Sequence, residues 1–240
     1  MPHRYFTQEI AENRGVIRGD EAHHLTRVMR AKCGQEIVLC DGKGTDYIAQ
    51  IQEIQKDCVV LDILSQAPSC TEPDCQITLY IGYPKQDKLE WIIQKAVELG
   101  AVRIVPFFSK FCVVQPKKEP EKNSRYQKIA REAAKQSGRG KIPTVEMPLQ
   151  YTEMLNQLSQ YDQTLFCYEM GGNSIRKVLQ ADVKQIAIIT GSEGGFSQQE
   201  AEAAKQVGAN LVGLGKRILR CETAPIATLA ITMALMGELE

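Results

Sequence analysis

Histidine, cysteine motifs and long apolar runs are what this sequence has least of, and each gap removes a class of function. Its three histidines, His3, His23 and His24, all lie at the start of the chain, so chemistry carried by a later segment must run without an imidazole base. Eight cysteines are present, at 33, 40, 58, 70, 75, 112, 167 and 221, but no CxxC and no Cys/His cluster occurs among them. That scatter speaks against structural zinc and a disulfide framework, and no metal is expected. No apolar run of signal-peptide length occurs between Met1 and Arg18, and the longest apolar stretch, Ala224 to Met236, is too short to span a bilayer. A cytoplasmic protein without a membrane partner is therefore expected. Internal repeats and low-complexity tracts are also missing. With 240 residues, 43% of them hydrophobic, the chain can bury roughly 70–75% of its unfolded surface in one large core or two smaller ones.

Net charge is lacking too, but its zero total hides a block structure. Residues 1–72 carry 8 Lys/Arg against 11 Asp/Glu, residues 73–145 carry 14 against 7, and residues 146–240 carry 7 against 11. The positive surplus sits in the middle of the chain. Within a helix expected over Ser124 to Arg139, Lys128, Arg131, Lys135 and Arg139 recur at spacings that stack them on one face. Such a stripe is either a solvated helix face or a phosphate-binding one.

Two compositional regimes meet at residues 66–76, where two prolines break all periodicity and read as a linker. Before it, a helical stretch from Asp20 to Arg30 leads into short β-rich runs, Glu36 to Cys40, Asp46 to Ile54 and Cys58 to Leu64, separated by turns. A small β-barrel is the natural closure for such strands. After the linker, strand and helix alternate. The apolar runs Gln76 to Ile81, Arg103 to Phe107, Thr164 to Tyr168, Gln185 to Thr190 and Asn210 to Leu214 read as strands. Helices are expected over Asp87 to Leu99, from Ser124, near Ser174 to Leu179, over Gln198 to Val207 and from Glu222 to Gly237. This is the pattern of a mostly parallel α/β sheet.

Ligands of open α/β sheets bind beyond the carboxyl ends of the strands, and two loops there are unusual. One is Gly191-Ser192-Glu193-Gly194-Gly195-Phe196, three glycines in five residues, with Ser197 placed to cap the next helix. Glycine at such points lets a ligand approach the backbone closely. It matches neither GxxxxGK[ST] nor GxGxxG, which argues against a P-loop or a nicotinamide site. The other loop, Gly215 to Pro225, is charged and opens a very apolar helix.

Gly-Ser-Glu-Gly-Gly-Phe-Ser, followed by Leu214-Gly215-x-Arg217-Ile218-Leu219-Arg220-x-Glu222-Thr223-Ala224, resembles the paired signature of the ribosomal RNA uridine N3-methyltransferase family within the SPOUT superfamily. Lys85-x-Asp87-Lys88-x-Glu90-x-x-Ile93-Gln94-Lys95-Ala96-x-Glu98-Leu99-Gly100 and Glu132-Ala133-Ala134-x-Gln136-Ser137-Gly138-Arg139 are similar to two more of its blocks. His23-His24-Leu25-x-Arg27-Val28-x-Arg30 resembles its PUA-like RNA-binding domain, so nearly the whole chain is covered. Two positions depart from the pattern: Ser192 stands where the family usually has proline, and Cys221 where it often has threonine. The second departure weakens a reading of Cys221 as a nucleophile.

The resemblance implies a PUA-like β-barrel over residues 1–70 and a SPOUT α/β domain with a C-terminal trefoil knot over residues 71–240. It also implies a homodimer, and ribosomal RNA or the small ribosomal subunit as partner. S-adenosylmethionine is the implied cofactor, held by Tyr168, Thr190, Gly191, Glu193, Gly194, Gly195, Leu214, Gly215, Ile218 and Leu219. The implied reaction is methylation of N3 of a specific uridine in small-subunit (16S) ribosomal RNA. Arg220 is then a candidate donor to a uracil oxygen. Glu222 is either a proton acceptor or a charge in the first turn of the last helix. Arg139 is placed at the uridine, within one chain or across the dimer. RNA contacts are expected from Arg27, Arg30, Lys128, Arg131, Lys135, Gln136 and Arg139, on single-stranded or loop RNA, since the target base must be unstacked. Two other readings remain: a SPOUT methyltransferase acting on transfer RNA or a ribose 2′-oxygen, and a non-catalytic RNA-binding protein on the same scaffold.

Overall fold

The computed structural model describes residues 4–113 and 119–239, so His3 lies outside the described residues. They form two compact units. The first joins residues 4–72 to Ala134–Ile142; the second joins Pro73–Ala133 to residues 143–239.

The first unit is a six-stranded sheet of β1 (Arg4–Phe6), β2 (Ile10–Ala11), β3 (Arg14–Arg18), β4 (Glu36–Cys40), β5 (Thr45–Ile54) and β6 (Cys58–Pro68). Their order is β1-β4-β5-β6-β3-β2, antiparallel except for the β1/β4 pair. Register shifts in the β5/β6 ladder, between Ile48 and Ala49 and between Ile51 and Glu53, bend the strands as bulges do. The sheet curls around Tyr5, Ile17, Leu25, Leu39, Ile51 and Leu61. β6 runs to Pro68, which lies opposite Thr45, so the first residues of the expected linker are strand. Proline is tolerated there because it ends the ladder. The helix expected from Asp20 to Arg30 is α1 (Gly19–His23) passing into a π-helical turn, His24–Val28.

The second unit holds a seven-stranded sheet in which every neighbouring pair is parallel. Its strands are β7 (Gln76–Gly82), β8 (Arg103–Phe108), β9 (Thr144–Val145), β10 (Leu149–Gln150), β11 (Gln163–Cys167), β12 (Gln185–Thr190) and β13 (Asn210–Val212). The path is β10-β8-β7-β12-β11-β13, with β9 on β8. Strands buried on both faces need unbroken apolar sequence, and the central β7 and β12 supply Ile77, Leu79, Ile81, Ile186, Ile188 and Ile189, all fully buried.

The helices of this unit are α2 (Lys88–Glu98), α3 (Glu119–Gln136, whose last residues belong to the first unit), α4 (Tyr151–Asn156), α5 (Ile175–Val178), α6 (Gln198–Gln206) and α7 (Thr223–Leu235). α2 buries Leu89, Ile92, Ile93, Ala96 and Val97 along one stripe. It stops at Gly100, whose φ of +97° suits glycine best. Among the described residues no helix is long and apolar enough to cross a membrane.

α3 departs from expectation. It begins earlier than Ser124 and ends at Gln136, with Gly138 at φ +76° turning the chain away. Arg139 therefore lies beyond the helix, and the four-residue basic stripe is broken at its end.

Candidate functional site

The carboxyl ends of β11, β12 and β13 meet at a cavity of about 780 Å³, within the range of small-ligand sites. Its wall is built from the loops after these strands, together with Lys88 at the start of α2.

The glycine loop after β12 is held from below and pinched from the sides. Phe196 is buried among aromatic rings, 4.3 Å from Phe166 and 6.2 Å from Phe107 between centroids, an arrangement that fixes ring positions. Ser197 caps α6 in a reciprocal box with Glu200: its hydroxyl accepts from the Glu200 N–H at 3.3 Å, and its own N–H donates to the Glu200 carboxylate at 2.9 Å. A Cβ on Gly82 at the end of β7 would sit 2.4 Å from the backbone nitrogen of Ser192, so only hydrogen fits between strand and loop. Gly195, at φ +62°, has the Glu169 carboxylate against its Cα. The loops after β11 and β13 are stitched together by Asn173 N–H to Leu211 O at 3.1 Å and Gly213 N–H to Asn173 O at 3.0 Å.

Lys88 ties two loops to α2. Its ammonium lies 2.9 Å from Glu193, 3.3 Å from Glu222 and 3.6 Å from the Cys221 sulfur, and the Glu193 hydrogen bond raises its pKa. Burial works to raise the pKa of Glu193, but Lys88 and the Lys85 N–H hold it below the usual carboxylate range. Glu222 is likewise lowered against burial, by the Cys221 thiol and Lys88. Burial, the Glu222 hydrogen bond and the Glu193 charge push the Cys221 thiol up to about 12. A thiol so disposed stays protonated and is a poor nucleophile. Cys221→Ser is accordingly expected to keep methyl-transfer activity within about threefold of the parent, a ratio worth less than one buried hydrogen bond; loss of activity beyond about 100-fold in a steady-state assay would restore the nucleophile.

Of the residues singled out from sequence, Tyr168, Thr190, Gly191, Glu193, Gly194, Gly195, Leu214, Gly215, Ile218, Leu219 and Arg220 all line this cavity. Glu222 is not among the lining residues, and its side chain makes no cap to α7. Lys128 and Arg131 lie on the part of α3 in the second unit, the former exposed. Lys135, Gln136 and Arg139 belong to the first unit, where Lys135 pairs with Glu21 at 2.6 Å and Arg139 with Glu72 at 2.7 Å. Arg139 is 3% exposed, so its guanidinium is spent on Glu72 and not offered to a uridine. Arg27 and Arg30 are exposed beside the π-helical turn.

Sequence reading missed Lys88 and Glu169 as wall residues. Lys88 lies in the Lys85–Gly100 stretch that resembles the family, but only the fold shows what its ammonium meets. Glu169 follows a strand end and carries no local signal.

A family model described as an RNA methyltransferase domain matches residues 71–233, and one described as an RNA methyltransferase PUA domain matches residues 17–64. Fold and cavity together are those of a SPOUT-class methyltransferase with a PUA-like N-terminal unit. The chain is 34% identical over 223 residues to the ribosomal RNA small subunit methyltransferase E of Bacillus subtilis, covering 89% of this chain and 87% of that protein. The same enzyme from Neisseria gonorrhoeae, solved bound to S-adenosyl methionine, superposes with a TM-score of 0.88 at 30% identity over 98% of both chains. A methyltransferase from Legionella pneumophila in complex with bound SAM gives 0.87 at 25% identity, again over 98% of both. The chain belongs to the ribosomal RNA small subunit methyltransferase E family.

Proposed function

We propose that this protein methylates N3 of a uridine in small-subunit ribosomal RNA, using S-adenosylmethionine bound in the cavity at the ends of β11, β12 and β13. The observation that carries the reading is the convergence of the glycine loop and the Leu214–Leu219 segment on one cavity wall, together with the cofactor found in two structural relatives. The wall suits that molecule. Its glycines leave backbone groups approachable, and the Ser192 hydroxyl, buried in the same wall, has no hydrogen-bond partner among the described residues. A buried polar atom with unused bonding capacity favours a polar ligand.

When bound, the cofactor supplies a methyl group on a sulfonium for in-line transfer. The backbone of Gly191, Gly194, Gly195, Leu214, Gly215, Ile218 and Leu219 would hold it, with Tyr168 and Thr190 forming the floor. Orientation alone lowers such a barrier by several kcal/mol. Arg220, exposed on the cavity wall, donates to a uracil carbonyl oxygen and stabilises the charge that builds on the ring as N3 gives its proton to a solvent water. Glu222 is bound to Lys88 and has a depressed proton affinity. We therefore give it the part of anchoring the last loop rather than that of the base.

The PUA-like unit is assigned to RNA recognition, with Arg27 and Arg30 exposed for phosphate contacts. The domain division at residue 70, the trefoil knot and the homodimer belong to the same reading. Light scattering should return twice the mass of the chain. The decisive test is to incubate unmodified small-subunit ribosomal RNA with the protein and labelled S-adenosylmethionine, then digest to nucleosides. The expected product is 3-methyluridine at one position; label in a ribose-methylated nucleoside, or in none, rejects the proposal.

A further inference from the structure

The segment from Lys216 to Arg220 differs from the rest of the cavity wall. It carries three cations in five residues, Lys216, Arg217 and Arg220, and all three line the cavity. All are exposed. Lys88 takes up Glu193 and Glu222, and Glu169, the other carboxylate on this wall, makes no ion pair with the three cations among the described residues. Among the described residues none of the three cations is in an ion pair. Between them Ile218 is 86% exposed, although it lines the same cavity.

Three unneutralised cations on one short loop repel one another, and the arrangement is relieved by an anion that presents several charges in succession. A single carboxylate, such as that of an amino-acid moiety, answers one cation and leaves two. A nucleic-acid backbone presents a charge at every nucleotide. An apolar side chain held in water among cations costs free energy unless a flat apolar surface covers it, and an unstacked base offers that surface. Cations on both sides of an exposed apolar side chain thus suit single-stranded RNA.

We propose that residues 216–220 form an RNA clasp at the mouth of the cavity. Lys216 and Arg217 take the phosphates flanking the target nucleotide, and the side chain of Ile218, whose backbone faces the cofactor, packs against the unstacked base. The clasp rests on the methyltransferase reading and adds to it where the RNA is gripped. It moves the phosphate contacts nearest the chemistry from Lys135 and Arg139, which are neutralised by Glu21 and Glu72, to a loop of the cofactor-binding unit itself.

The test measures two affinities on the full chain. One is for unmodified small-subunit ribosomal RNA across a potassium chloride series; the other is calorimetric, for S-adenosylmethionine. In the double variant Lys216→Ala, Arg217→Ala, RNA affinity at low salt should fall about tenfold or more. The slope of log K against log salt should become shallower by about 1.4, since each single-strand phosphate contact contributes roughly 0.7. Cofactor affinity should stay at the parent value, which also reports an intact fold. Ile218→Ser should slow methylation at saturating RNA while leaving the salt slope unchanged. An unaltered salt slope in the double variant overturns the clasp, and so does a loss of cofactor affinity, which would assign the cations to the cofactor's carboxylate. A parent chain that binds no S-adenosylmethionine overturns instead the reading on which the clasp rests.

Discussion

Gly194→Val is expected to weaken S-adenosylmethionine binding about 100-fold while leaving the far-ultraviolet circular dichroism of the parent. A Cβ at this position meets the Phe111 Cβ at 2.6 Å and its carbonyl oxygen at 3.0 Å, so the loop must move. Overpacking of this kind costs about 1–3 kcal/mol of stability. The displaced loop also forfeits two or three backbone contacts to the cofactor at about 1 kcal/mol each, a loss of about 100-fold in affinity. The clash is with Cβ and backbone, not with the ring, so Phe111→Ala should fail to rescue the double variant. Calorimetry decides: parent-like affinity in Gly194→Val would remove the glycine loop from the cofactor site.

The second large effect is on stability. Arg139→Ala should lower the free energy of unfolding by about 3–5 kcal/mol, the cost of leaving one partner of a buried ion pair without the other. That is a large fraction of the roughly 5–15 kcal/mol typical of folded proteins, and the melting temperature should fall by about 10 °C. Glu72, the partner, is stranded: besides Arg139 it accepts hydrogen bonds from the N–H groups of Gly140 and Lys141, both at 2.9 Å. The pH dependence follows in sign. Burial works to raise the pKa of Glu72, but Arg139 and the two N–H groups hold it below its ordinary value. A carboxyl lowered in the folded state contributes stability that is complete above its unfolded pKa and drains away as pH falls through the folded one. The parent should therefore lose stability in acid more steeply than Arg139→Ala. Thermal melts of the two proteins from pH 7 to pH 3 read this directly, and parallel curves would show that the pair carries no such weight.

The same residue marks where sequence reading reached and where it stopped. β7 and β12 were legible because a strand buried on both faces must be apolar throughout. The glycine loop was legible because close backbone approach leaves a compositional trace, and the Ser197 cap because its box with Glu200 is local. β1 and β3 were missed. Arg4–Phe6 and Arg14–Arg18 are short and flanked by charges, and their partners, β4 and β6, lie far along the chain. α4 was missed because six residues are too few to show a helical period. The end of the basic stripe was illegible for a related reason. Spacing placed Lys135 and Arg139 on one helical face, yet it is blind to Glu21 and Glu72, which arrive from more than sixty residues away. The expected linker is longer than the observed one because proline is compatible with the end of a strand, and Pro68 ends β6.

The return of Ala134–Ile142 to the first unit has a consequence for synthesis. A PUA-like unit closed by its own first 72 residues would fold as soon as they cleared the ribosome. Here Glu72 and Glu21 wait for Arg139 and Lys135, and about 70 further residues must be made before those cations exist. At roughly 5–20 residues per second that is about 4–14 s. During this interval two acidic side chains destined for burial stand unpaired, and the β7 strand and α2, made meanwhile, emerge before the sheet they belong to can close. The first unit can thus close once residue 142 has emerged, before β11, β12 and β13 of the second are made. α3 gives its residues up to Ala133 to the second unit and Ala134–Gln136 to the first, so the first unit closes only once the end of that helix has left the exit tunnel.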